Sequence, residues 1–203
     1  MKIIKIYLLL AISVFLLGSC LDIQDSYDYK PSNIDNNINM GTWEFINSRQ
    51  DVFSILKEAI EKVGLQETYS QTSSIYTYIL LKNTAFTKST GIFVNLGITS
   101  IDDINTAEKM LQLKNILLYH IIRGNYNGLG TLNFDPINVI TLWDSQDAIM
   151  TIKLDDASSI TNYSTVVFNS LAGSSTPVRA VTSNLFAKNG TIHVVETQII
   201  YKP

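Results

Sequence analysis

Asn189-Gly190-Thr191-Ile192-His193-Val194-Val195, near the end of the chain, is the stretch whose reading decides the fold. An Asn-Gly pair favours a type I′ turn, because both residues tolerate positive φ, and the alternation after it suits a strand with one buried face. The run therefore predicts a closing hairpin strand, continuing from Thr191 to Tyr201. Working backward, shorter strands are expected at Val178 to Thr182, Thr165 to Asn169, Ile149 to Leu154 and Val139 to Trp143. An earlier bounded run of β-branched, aromatic and aliphatic residues, Ile75 to Leu81, reads as a strand buried along most of its length. Helical spacing dominates the first half instead. Val52, Ile55, Leu56, Ala59, Ile60 and Val63 mark one helix, with Asp51 available as a cap and Gly64 as a stop. Ser100-Ile101-Asp102-Asp103 offers a cap before a second helical stretch from Asn105 to Ile122, which Gly124 is expected to end. Helices first and strands afterwards argue an α+β domain.

Three runs in order resemble the fasciclin domain family. Asn189 to Val195 is similar to the family's Asn-Gly-x-Ile-His-x-Ile/Val signature before its last strand, and Leu117-Leu118-Tyr119-His120-Ile121-Ile122 to its Leu-Tyr-His-Val-Val run at a helix end. Tyr76 to Phe86 resembles the first motif, a buried strand turning into a short helix; Leu81, Lys82 and Asn83 stand where the family has Ala-Pro-Thr, while Ala85 and Phe86 fit. Val52 to Leu65 looks like the family's opening helix and Ile140-Thr141-Leu142 like its mid-domain Thr-Leu strand. The resemblance covers Thr42 to Pro203 and implies a wedge of β-sheet with helices packed around one end.

The amino terminus reads as an export signal over residues 1–19: Lys2 and Lys5 start it, Ile6 to Leu17 is nearly all apolar, and Gly18-Ser19 supplies small residues. Leu17-Gly18-Ser19-Cys20 resembles the lipobox of bacterial lipoproteins, whose cysteine is acylated and becomes the mature first residue. Cys20 is the only cysteine of the chain, so no internal disulfide competes for it. Residues 20–41, rich in Asn, Asp and Ser, read as a polar acidic tether, leaving 42–203 as a single domain. The expected place is the bacterial outer membrane, anchored by lipid and exposed at the cell surface; the acidic spacing after Cys20 resembles surface-export tags.

With 46% hydrophobic and 16% charged residues and a net charge of −3, the 203-residue chain predicts a packed globule. Scattered basic residues without an aromatic-interleaved stripe speak against nucleic acid. The two histidines, His120 and His193, lie far apart with no ligand at metal spacing, and no Gly-x-Ser-x-Gly elbow is present, so no catalytic residue, metal or cofactor is assigned. Gly124 to Gly130 lacks the lysine of a phosphate loop and reads as a plain loop. Asp102-Asp103 and Asp155-Asp156 read as caps and solvated turns rather than calcium ligands. The sequons at Asn162 and Asn189 carry little meaning in a bacterial chain.

What remains is a binding module. The resemblance implies adhesion or protein interaction, and puts forward Tyr119 and His120 as candidate binding residues. The alternative is an accessory lipoprotein that captures glycans beside an outer-membrane transporter. A flat platform of Trp143, Tyr126 or Tyr163 would favour sugar stacking, whereas an apolar patch with a polar rim would favour a protein partner. The partner is thus a surface protein, a matrix component or a glycan, with the membrane reached through Cys20. The apolar neighbours of His120 further predict that its ring is buried and bonded to the turn around Asn83.

Overall fold

The computed structural model describes residues 35–146, 148–155, 165–170 and 176–201. Cys20, the signal, the tether up to Ile34, Asp156, Asn162 and Tyr163 lie outside the described residues. Among the described residues, six helices and a 3₁₀ turn come mostly first: α1 Thr42–Ser48, α2 Gln50–Lys62, α3 Gln66–Ser70, α4 Asn83–Thr87, α5 Ile92–Leu96, the turn Ile101–Asp103, and α6 Ala107–Tyr119. The strands are β1 Tyr76–Leu81, β2 Ile121–Arg123, β3 Ile137–Ile140, β4 Ile149–Leu154, β5 Val166–Phe168, β6 Val178–Arg179, β7 Thr182–Ala187 and β8 Gly190–Val195. They form two four-stranded sheets, ordered β2-β1-β8-β7 and β3-β4-β5-β6. A bridge between Ile122 and Thr141 joins them. The fold is α+β, as expected.

The first sheet is built around a parallel pair, with Tyr76 opposite Gly190 and Leu81 opposite Val195. Both strands are buried on both faces; β1 reads as a nearly continuous apolar run, whereas β8, expected to bury one face only, also buries Thr191 and His193, which bond Asn125 Oδ1 and Tyr126 O. Gly190 begins β8 at a point where a Cβ would run into the Tyr76 carbonyl, so this position admits no side chain. The turn before it is not type I′. The loop residues between paired Ala187 and Gly190 are Lys188 and Asn189, and neither has positive φ. The Asn189 side chain is needed inside the fold, and that requirement sets the local geometry.

The helix α2 buries Phe53, Leu56, Ala59 and Ile60 at helical spacing. It ends as expected at Gly64, whose φ of 68° lets Gly64 N–H reach Glu61 O and Leu65 N–H reach Ile60 O, a Schellman closure. Its cap is Arg49 rather than Asp51. A kink at Phe53 has an identifiable cause: Asn83 enters the backbone ladder, its Oδ1 accepting the Ile55 N–H at 3.0 Å and its Nδ2 lying 3.5 Å from Asp51 O. Asn83 is therefore spoken for, and it is not the partner of His120.

Other boundaries moved as well. The helix α6 starts after a Thr106 cap and stops at Tyr119; residues 121–123 turn into β2, and Gly124 follows that strand instead of ending a helix. The expected strand from Val178 to Thr182 is two pieces, and the true hairpin partner of β8 is β7. The last strand stops at Val195, after which Glu196 to Tyr201 runs on outside any strand. At the other end, Ile38 N–H bonds Phe186 O, Phe186 N–H bonds Asn36 O and Lys188 N–H bonds Met40 O. Residues 36–40, expected to close the tether, lie along the β7 edge. Among the described residues no helix is long and apolar enough to cross a membrane.

Candidate functional site

The helix α6 separates two stripes. Leu113, Leu117 and His120 face the core, while Gln112, Asn115, Ile116 and Tyr119 recur at the i, i+3, i+4, i+7 spacing of a second face. That second face forms one wall of a cleft of about 560 Å³. Asn95 and Leu96 of α5 and Trp143 supply further walls, and the strand-free run Gln198 to Tyr201 closes it. The volume falls within the roughly 300–1,000 Å³ of small-ligand clefts.

Three aromatic rings meet there at steep angles. Tyr119 stands 6.0 Å from Trp143 at 89° and 6.1 Å from Tyr201 at 78°, and Trp143 stands 5.4 Å from Tyr201 at 69°. Edge-to-face contacts of this kind satisfy the ring quadrupoles and make a corner, not a flat platform. Tyr119 is only 4% exposed. Its hydroxyl donates to Ile149 O at 3.2 Å and accepts from Asn169 Nδ2 at 3.4 Å, and burial pushes its phenol above the ordinary tyrosine range. Asn169, in the left-handed region at φ 51°, also donates to Ile200 O and so ties Tyr119 to the C-terminal wall.

His120 lies behind this wall. Its ring is fully buried, with Nδ1 donating to Ile116 O at 2.8 Å and Nε2 accepting the Ile199 N–H at 3.0 Å. The burial expected from sequence is present; the partners are Ile116 and Ile199 rather than the Asn83 turn. Both nitrogens are satisfied only in the neutral ring, and desolvation lowers its pKa to about 4. Tyr119 therefore lines the cleft, and His120 positions its floor through Ile199. His193 is built alike: Nε2 bonds Tyr126 O at 3.0 Å, Nδ1 takes the Asn184 N–H at 3.4 Å, and burial lowers its pKa to about 4.

The rim is made of amides. Asn95 Nδ2 donates to Gln198 Oε1 at 2.9 Å, coupling α5 to the C-terminal run, while the side chains of Gln112 and Asn115 have no hydrogen-bond partner among the described residues. Gln112, Asn115, Gln198 and Tyr201 were not singled out from sequence. The α6 stripe was legible in principle from its spacing; Gln198 and Tyr201 join it only through long-range packing.

The other expected features fall into structural places. Asp103 caps the 3₁₀ turn, its Oδ2 accepting from Thr99 and Ser100, and those bonds hold its carboxyl below the usual range. Asp155 pairs with Arg179 across β4 and β6. Tyr126 is half-buried, with its N–H bonded to Thr77 Oγ1. Among the described residues no three His, Cys, Asp or Glu side chains gather as a metal site would require.

A comparison with curated proteins gives no match. Among solved structures, a FAS1 domain pair from the insect cell adhesion molecule fasciclin I is similar, with 12% identity and a TM-score of 0.57. The likeness covers 79% of this chain and 51% of that one, so the chain spans about half of the domain pair. Such identity speaks for the fold. Residues 51–201 match the fasciclin domain family model, which includes both walls of the aromatic cleft, and the chain therefore belongs to the fasciclin domain family.

Proposed function

We propose that the protein is a non-catalytic adhesion or protein-interaction module, held at the bacterial cell surface by a lipid on Cys20 and meeting its partner at the Tyr119 cleft. The supporting observation is the cleft itself: an aromatic corner with aliphatic walls and an amide rim, the apolar-patch-with-polar-rim pattern of a protein contact. Ile140 and Ile149, opposite each other in register and more than half exposed, add apolar surface where the Tyr119 hydroxyl bonds. The related insect protein is a cell adhesion molecule by its description, which agrees with this reading. The glycan-capture alternative called for a flat ring platform of Trp143, Tyr126 or Tyr163; Trp143 stands at 89° to Tyr119 and 69° to Tyr201, Tyr126 is tied into the loop over His193, and Tyr163 lies outside the described residues.

The test uses the full chain displayed on cells or captured on beads. Trp143→Ala, which removes a partly buried ring packed on Tyr119 and Tyr201, should lower the melting temperature and, assayed well below it, abolish retention on partner cells or matrix. Retention that survives this change would move the contact elsewhere. Turnover of an ester, peptide or glycan by the purified protein, lost on one substitution, would overturn the non-catalytic reading.

A further inference from the structure

We infer that the Tyr119 cleft is a groove for an extended, uncharged peptide segment of the partner, with one large aromatic or aliphatic residue seated as an anchor in the Tyr119-Trp143-Tyr201 corner. This rests on the interaction-module reading and adds the chemistry of what is bound.

Three observations carry it. First, the described residues lining the cleft are amides, aromatics and aliphatics without an acid, lysine or arginine. A charged ligand would lose its hydration there and meet no counter-charge, so the occupant is neutral. Secondly, Gln112 and Asn115 sit one turn apart on the same face of α6 with no protein partner. An amide side chain offers one acceptor and two donor hydrogens, the complement of a backbone C=O and N–H. Two of them along a groove offer partners to the main-chain polar groups that an extended chain turns toward α6, which must be paired once covered. Thirdly, Tyr119, Trp143 and Tyr201 meet edge to face in a cleft also lined by Leu96, Ile116 and Ile199, an angled apolar wall that suits a bulky side chain where a coplanar platform would suit a flat sugar ring.

The chain has two tryptophans, Trp43 and Trp143, so Trp43→Phe leaves Trp143 as the sole indole reporter in the cleft. The probes are acetylated, amidated hexapeptides with Ser, Thr and Gly flanks around a central Tyr, Leu, Lys or Glu, together with neutral oligosaccharides. With the full chain in mild detergent, the Tyr- and Leu-centred peptides should change Trp143 emission saturably and the Lys- and Glu-centred ones should not. Gln112→Ala and Asn115→Ala, which remove no intramolecular bond, should each weaken binding about five- to tenfold at unchanged melting temperature. Saturation by oligosaccharides without peptides, or by charged peptides as well as neutral ones, would overturn the assignment. Silence of every probe while partner cells still retain the parent but not the Trp143→Ala chain would overturn the peptide groove and leave the module reading standing. Loss of both would remove the two together.

Discussion

Four hydrogen bonds converge on the buried Asn189 amide: Oδ1 accepts from the Thr42 N–H and hydroxyl at 2.9 and 2.8 Å, and Nδ2 donates to Tyr69 O and the Tyr78 hydroxyl at 2.9 and 3.0 Å. One side chain thus joins the start of α1, the end of α3, β1 and the β7-β8 turn. Asn189→Ala orphans several buried groups at about 1–3 kcal/mol each, so the melting temperature should fall by well over what a surface substitution costs. Calorimetry checks this, and a fall no larger than that of the exposed Asn105→Ala would refute the hub. The two histidines make a second residue-scale prediction. Their folded pKa values are lowered to about 4, whereas unfolded imidazole titrates near 6.5. The unfolded state therefore binds more protons between these values, and the associated stability, complete above about pH 6.5, is lost as pH falls toward 4. Proton NMR should show both rings still neutral at pH 5 while the melting temperature has already dropped; a ring titrating near 6.5 would contradict its burial.

Elements are held here by contacts at their ends more than by their own propensity. The edge of β7 is covered by residues 36–40, and Gly41 N–H closes onto Glu44 at the start of α1. Removing residues 1–41 should lower the domain's melting temperature below that of a chain lacking only 1–34 and promote association, because a bare strand edge is a template for pairing. Light scattering and calorimetry on the two truncations decide it; equal behaviour would show that the edge needs no cover. The helix α6 poses the complementary case. Its cleft face carries polar amides that add nothing to the core, so Gln112→Leu should be neutral or mildly stabilising while impairing partner retention. Stability lost on that change would mean that the amide is structural.

Across the whole molecule, the proposed anchor at Cys20 is tested by a single substitution. Cys20→Ala should abolish fatty-acid labelling and release the protein from membranes with its melting temperature intact; unchanged labelling would refute lipidation. The sequence by itself missed α1, α3, α5, β2 and the full burial of β8, but it determined α2, the body of α6 and the buried strand β1, because a strand buried on both faces must be written as an unbroken apolar run. It also determined the Gly64 stop and the burial of His120, since local backbone freedom and flanking apolar residues are visible without coordinates. It did not determine the turn at Asn189, where an inward-facing amide with four partners overrode the usual Asn-Gly preference. Nor did it reveal that Tyr119 looks into a cleft while His120, its neighbour, bonds Ile199 behind it. Those outcomes depend on where Thr42, Tyr69, Asn169 and residues 198–201 arrive from distant parts of the chain. Tertiary packing decided them, because hydrogen-bond satisfaction inside a core is settled by which groups meet there and not by the neighbours along the backbone.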